Sequence, residues 1–438
     1  MYDIIVGRSD SDKEKFGKRG TIFLGKQYVK MGRVTSLSNS IYLDVATSHV
    51  VFICGKRGGG KSYTMGVVAE GLADIEGDVK QNLSFILLDT MGIYWTMKYP
   101  NKPDEELLEK WGLKGKGLDV KIYTPEMYYN AYKEKGIPTD HPFSIKPSEL
   151  DSSDWHLTFD VSPNEPLGVL IERIVYRLRK EMGDYGIEDM ITAVREDKRS
   201  EQNVRDALEN RLLGAQEWGV FSKKGTPMKD LAQGGQVTVL DVSCYATTPG
   251  GWKIKSLIVG LISKKLFIER MIDRKDEEYE TIHQATHYFS EEQKEKKLSM
   301  PMVWLVVDEA HEFLPREGKT AASDALITIL REGRQPGISL ILATQQPGKI
   351  HTDVMTQSDT FLSHRITAKI DVEALSMLMQ SYMREGLDVQ LDSLPRVKGA
   401  AVMFDDTNER LYSIKVRPRF TWHGGSSPFA ITEEKKGI

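Results

Sequence analysis

The chain has 438 residues, 40% of them hydrophobic and 28% charged, a composition that fits a globular protein of roughly two to three packed units. A formal net charge of −4 excludes a uniformly basic nucleic-acid binder, but it is compatible with Lys and Arg confined to an internal channel. No run of about 18 apolar residues occurs, and the opening MYDIIVGRSD lacks a basic region followed by a long apolar one, which predicts a cytoplasmic protein outside membranes.

Residues 1–46 alternate short apolar runs with Gly and polar turns: Ile4 to Val6, Thr21 to Leu24, Val34 to Leu37 and Ile41 to Val45. This spacing predicts a small β module, too short to be a comfortable independent domain.

Residues 47–124 open an α/β core. The apolar run Val50 to Cys54 reads as a buried strand, and it leads into Gly55-Lys56-Arg57-Gly58-Gly59-Gly60-Lys61-Ser62, the G-x4-G-K-S phosphate loop. In such a loop Gly55, Gly58, Gly59 and Gly60 let backbone N–H groups close around phosphate oxygens. Lys61 brings positive charge to the outer phosphates, and Ser62 offers a hydroxyl to Mg²⁺ at a helix N-terminus. Tyr63, the next residue, joins the nucleotide-contacting candidates and begins a helix to about Ile75. Further strands are expected at Ser84 to Asp89 and Val120 to Tyr123, so strands alternating with helices predict a mostly parallel sheet.

Asp89-Thr90-Met91-Gly92 and Asn101-Lys102-Pro103-Asp104 imitate the D-x-x-G and N-K-x-D motifs of GTPases. Their spacing is wrong: the few residues between Gly92 and Asn101 include Pro100 and leave no room for a helix and another strand. Asn101 is therefore expected in a surface turn, within a polar stretch from Pro100 to Lys116.

Residues 125–235 are predominantly helical in pattern. Leu167, Leu170, Ile171, Ile174, Val175 and Leu178 form one apolar stripe, with Ser162 or Asn164 as a cap, and Val204, Leu208, Leu212 and Ala215 form another. Two such stripes packing together make a helical insertion that needs no ligand. Cys54 and Cys244, both in apolar contexts, read as buried hydrophobes rather than a disulfide or metal pair.

Residues 236–416 complete the core, starting with a strand from Gln236 to Val242 and a helix from Ile254 to Ile272. Arg274 to Lys297 reads as a charged, solvated loop. Met302 to Asp308, MVWLVVD, is a strand expected beside the phosphate-loop strand, delivering Asp308 to the Mg²⁺ shell and Glu309 to a water facing the γ-phosphate. A helix from about Ala321 to Glu332 then ends in REGRQPG, where Arg331 and Arg334 either favour the helix dipole, remain solvated, or, near a subunit boundary, reach the γ-phosphate bound next door. Strand Ile338 to Thr344 ends in Gln345, a candidate γ-phosphate sensor at the C-terminal edge where ligands sit in open α/β sheets. Thr360 to Ile366 is another strand, and Ala400 to Val416 reads as a hairpin turning at Asp405 to Asn408. Residues 417–438 form a tail without periodicity.

GKRGGGKS, LLDTMGIY, WLVVDEAH, REGRQPG, LATQQP and VRPRFTWHGG, in that order, resemble the HerA family of the HerA/FtsK superfamily of hexameric DNA translocases. The resemblance implies a RecA-like P-loop ATPase core binding ATP and Mg²⁺, assembled as a homo-hexamer around double-stranded DNA, often beside a NurA-like nuclease in DNA end processing. By position it gives phosphate to Lys61, metal to Ser62 and Asp308, and water to Glu309. It also makes Arg334 the finger donated to a neighbour, Gln345 the sensor, Asp89 an acid near the nucleotide, and the tail from Arg417 a latch on an adjacent protomer. The family's N-terminal barrel is generally longer than the roughly 46 residues here, so a nuclease partner docking there is expected to differ or to be absent. Lys223-Lys224, Lys253-Lys255 and Lys264-Lys265 are the candidate DNA contacts. Two other readings remain open: a nucleotide-gated ring scaffold that recruits an effector, and a packaging or conjugation pump.

Overall fold

In the computed structural model the described residues are 2–31, 34–286, 298, 300–366, 368–376, 387, 389–391 and 393–425. Thirteen strands form one sheet: β1 (Ile4–Val6), β2 (Thr21–Met31), β3 (Val34–Asp44), β4 (Val50–Cys54), β5 (Leu83–Asp89), β6 (Val120–Pro125), β7 (His141–Phe143), β8 (Val237–Asp241), β9 (Met302–Val307), β10 (Ile338–Thr344), β11 (Thr360–His364), β12 (Ala400–Asp405) and β13 (Arg410–Val416). Their order is β1-β3-β2-β13-β12-β11-β4-β10-β9-β5-β8-β6-β7.

From β11 to β7 every neighbouring pair is parallel, whereas β12, β13, β2 and β3 continue the sheet antiparallel. The central strands β5, β8 and β10 are buried along their whole length, which accounts for their unbroken Val, Ile and Leu runs. The N-terminal hairpin is not a module set apart. Gly25, Lys26 and Gln27 of β2 pair with Val416, Lys415 and Ile414 of β13, so the first residues extend the core sheet.

Side-chain alternation divides the core between the two faces of this sheet. Phe52, Leu305 and Leu340 point to one face, where they pack with Trp155, Leu170 and Leu212 of the insertion and with Ile258 of the long helix Gly251–Thr286. Val51, Ile53, Val306 and Ile341 point to the other, against Met65 and Val68 of helix Lys61–Asp74 and Ile22 and Ile41 of the N-terminal strands. The insertion holds helices Ser152–Phe159, Pro166–Glu181, Ile187–Glu196 and Gln202–Gln216, and the second of these begins after Glu165 rather than at Ser162 or Asn164.

Three further expectations need correction. Arg274 to Thr286 is helix, not loop, because Arg270 and Arg274 both reach Glu277 and Arg274 also reaches Glu278, pairs at helical spacing that carry the helix outward; residues 287–297 lie outside the described residues. Asn101 is buried, and its amide nitrogen donates to Arg419 O and Asp104 Oδ2 at 3.0 Å each. Strand β9 is not adjacent to β4, since β10 pairs with both and lies between them.

Candidate nucleotide site

The phosphate loop leaves the C-terminal end of β4 and enters helix Lys61–Asp74. Gly58 and Gly60 have φ of 74° and 117°, values a side chain disfavours, so glycine at these positions allows the loop to curl. Lys56, Arg57 and Gly58 are exposed, while Lys61 is buried and donates to Gly55 O at 3.0 Å. Burial lowers the Lys61 pKa, against the pull of Glu309 and Asp308.

Parallel β9 and β10 end on the same side as β4. The Ser62 hydroxyl donates to Asp308 Oδ2 at 3.1 Å, and Asp308 Oδ1 accepts the Glu309 N–H at 2.8 Å. Burial, with the Glu309 carboxylate beside it, pushes Asp308 up to about 6. Glu309 has a left-handed backbone, φ 49°, which is costly for a non-glycine residue and turns its carboxylate at the strand end. Gln345 Nε2 donates to Glu309 Oε1, whereas Glu309 Oε2 is buried with no hydrogen-bond partner. His311 Nδ1 is 3.6 Å from that oxygen but lies close to Thr344 Oγ1, at 3.0 Å. Burial lowers the His311 pKa, so the ring is neutral and no ion pair forms.

This set fits a magnesium nucleotide. The loop presents amides and Lys61 to an anion, Ser62 and Asp308 form a hydroxyl–carboxylate pair of the kind Mg²⁺ takes alongside phosphates, and the buried Glu309 Oε2, without a partner, leaves an acceptor unused. Among the described residues no group of three His, Cys, Asp or Glu side chains forms a metal cluster, and a magnesium nucleotide requires none.

The remaining candidates make contacts of their own, Asp89 at the same sheet edge as Asp308. Asp89, fully buried, accepts the N–H groups of Met91, Gly92 and Tyr94 at 3.1, 2.7 and 2.9 Å and so shapes the turn after β5; burial and Asp241 on β8 push its pKa to about 7. That turn in turn sends Tyr94 OH to Ser62 O at 3.3 Å. Tyr63 points to the tail: its hydroxyl accepts the Arg419 N–H at 2.8 Å and its ring meets His423 edge-on. Arg331 pairs with Asp353 at 2.6 Å, away from the loop. Arg334 is exposed, in the turn entering β10, which in a parallel sheet is the edge opposite the phosphate loop, roughly 20 Å away.

The lysine candidates are mostly occupied. Lys253 pairs with Asp160, Lys264 with Asp151 and Asp154, Lys265 with Glu149 and Lys223 with Asp189, while Lys255 is buried and donates to Thr90 O. The described part of the tail is anchored in its own protomer. Glu70, on the phosphate-loop helix and 0% exposed, receives Arg417, Arg419, the N–H groups of Phe420 and Thr421, and the Thr421 hydroxyl. Gly66 permits this closeness, since a Cβ there would lie 2.5 Å from the Arg419 guanidinium carbon. Residues 426–438 lie outside the described residues. Sequence reasoning missed Glu70 and His364; an acid within a phosphate-loop helix and an Arg-Pro-Arg run were the available signals for the first, and His364 offered none.

No helix among the described residues is long and apolar enough to cross a membrane. In overall fold the chain is similar to VirB4 of Thermoanaerobacter pseudethanolicus, with a TM-score of 0.52 and 15% identity over 90% of this chain and 96% of that one. It is 23% identical over 390 residues, 80% of this chain and 69% of the relative, to a probable DNA double-strand break repair helicase HerA of Methanocaldococcus jannaschii. It is 28% identical over 177 residues, 39% of this chain and 30% of the relative, to the DNA double-strand break repair helicase HerA of Pyrococcus furiosus. The model of the helicase HerA central domain matches residues 29–346, well over half of the chain, and with the phosphate loop, Asp308 and Glu309 at one sheet edge the chain belongs to the HerA family and is a P-loop ATPase.

Proposed function

We propose that the protein is a homo-hexameric motor that hydrolyses ATP between subunits and translocates on double-stranded DNA, in DNA end processing with a nuclease partner. The observation that carries the shared site is the position of Arg334: it is exposed at the edge opposite its own phosphate loop, and its side chain makes no hydrogen bond or ion pair among the described residues. A neighbour's loop is where such a guanidinium does work. The repair helicases named among its relatives support the DNA and end-processing parts of this reading.

In this mechanism the loop amides and Lys61 bind the triphosphate, and Ser62 and Asp308 hold Mg²⁺. With Mg²⁺ held there, Ser62 and Asp308 would place charge neutralisation at the phosphate oxygens. Glu309 orients a water through its free oxygen, Gln345 fixes the other oxygen and so reports on the γ-phosphate, and Arg334 of an adjacent subunit stabilises charge in the transition state, worth roughly 10³-fold or more in rate. Asp89, Tyr63 and Arg331 make protein contacts that shape the elements around the site.

The test is ATP hydrolysis with and without long duplex DNA, followed by displacement of a protein roadblock from that DNA. Stimulation with displacement supports the motor. A flat response without displacement replaces it with a nucleotide-gated scaffold for an effector, and displacement confined to DNA being loaded into a compartment favours a pump.

A further inference from the structure

We infer that His364 is a positioning residue for the phosphate loop: its imidazole sets the loop's shape, and through it the affinity for triphosphate. The residue ends β11, which pairs directly with β4, and it is 0% exposed. It touches the loop at both ends. A Cβ on Gly55 would lie 2.7 Å from His364 Cβ, and one on Gly60 would lie 3.1 Å from the ring carbon Cε1. The chain just after it also holds the loop, since Arg365 O accepts the Lys56 N–H at 3.4 Å.

The ring's two nitrogens have different tasks. Nδ1 is 3.1 Å from Ala400 O, a carbonyl that only accepts, so Nδ1 carries the proton. Nε2 is then an acceptor, and the Thr64 hydroxyl donates to it at 2.9 Å. A threonine within a helix ordinarily returns its hydroxyl to the carbonyl four residues back. Here the hydroxyl is instead directed sideways to His364, while Gly60 O keeps the ordinary helical bond from the Thr64 N–H at 2.8 Å. Burial lowers the ring's pKa to about 4, so the neutral tautomer needed for both bonds persists at ordinary pH.

Thus the first helical turn after Lys61 is pinned to β11 and, through Ala400, to the start of β12. A phosphate loop binds by amides aimed in advance at an anion, and any freedom it keeps must be lost on binding. His364 removes that freedom. Asp308, Glu309 and Gln345 stand on other strands, so removal of His364 affects nucleotide affinity far more than the chemistry of bound nucleotide. The inference concerns nucleotide binding alone and is independent of DNA translocation and of the hexamer.

The experiment measures the Kd for a fluorescent ATP analogue with Mg²⁺, and KM and kcat for ATP, in full-length wild type, His364→Ala, His364→Gln, Thr64→Val and the Ala/Val double variant. We expect His364→Ala to raise Kd and KM about tenfold with kcat within about threefold. His364→Gln, whose amide reaches Thr64, recovers part of the loss. Thr64→Val weakens binding in the same direction, and the double variant is no weaker than His364→Ala, as coupled partners require. A folded His364→Ala with wild-type Kd overturns the inference, as does equal loss of kcat and kcat/KM. Should His364→Ala fail to fold, Thr64→Val decides from the other side of the contact, because valine keeps threonine's shape: weaker binding supports the role and unchanged binding removes it.

Discussion

Gln345 donates its side-chain amide to one oxygen of Glu309 while the other oxygen of that carboxylate is buried and unpartnered. The pair bridges the ends of two neighbouring strands, β10 and β9, so the acid cannot swing without breaking a bond across the sheet. Glu309→Gln is therefore expected to bind ATP with near wild-type affinity but lose about 10²-fold to 10⁴-fold in turnover. Lys61→Ala should weaken binding and turnover together. Isothermal titration and steady-state hydrolysis separate the two, and unchanged rates in both variants would remove Glu309 and Lys61 from the site.

The position of Arg334 gives a prediction about mixtures. Arg334→Ala and Lys61→Ala proteins should each be nearly inactive alone. Mixed and allowed to exchange subunits, they should regain a fraction of wild-type ATPase, because some interfaces then join an intact loop to an intact arginine. Activity measured across mixing ratios should peak at intermediate composition. No recovery at any ratio argues that Arg334 acts within its own chain.

The contrast between these groups and the rest of the site explains what could be read in the residues. The loop and the MVWLVVDE strand are local patterns, with geometry set by a few consecutive residues. Strand order is not local: nothing within Met302 to Val307 says that β10 will lie between it and β4. Long-range pairs were invisible for the same reason. Glu70 meets Arg417 across 347 residues and Lys264 meets Asp151 across 113, so neither the partners of the lysines nor the seat of the tail is a local pattern. The helix after Arg274 reads as loop from composition because a high charge density suits a loop and a helix equally, and only the pairing at three and four residues separates them.

The Glu70 clamp predicts a large stability effect. Its carboxylate lies in a fully buried site where burial favours protonation, but Arg417 and Arg419 hold it below the usual carboxylate range. Glu70→Ala leaves two buried guanidinium groups without their counter-charge, which costs about 3–5 kcal/mol in such sites. Thermal unfolding of Glu70→Ala should fall by several degrees relative to wild type, and proteolysis should release the tail first. A wild-type melting curve would mean that the tail is held by its other contacts, such as Asn101 to Arg419 O.

His49 supplies a pH dependence with a definite sign. It precedes β4 and joins the N-terminal strands to the core, with Nε2 3.2 Å from Asp44 and Nδ1 3.0 Å from Asp359. Burial alone would lower its pKa, but the bonds and charge of Asp359 and Asp44 push it from the ordinary 6.5 up to about 9. A base whose pKa rises on folding stabilises the folded state fully below its unfolded pKa, and loses that contribution as pH rises through the folded one. The contribution is on the order of 3 kcal/mol at the acid end of that window. Between pH 6.5 and about 9 the stability of wild type should therefore decline relative to His49→Gln, whose side chain does not titrate. Urea unfolding of both proteins across the window reads this difference directly. Parallel stability curves would show that folding leaves the His49 pKa unshifted, and a relative rise with pH would show that His49 is neutral in the folded protein.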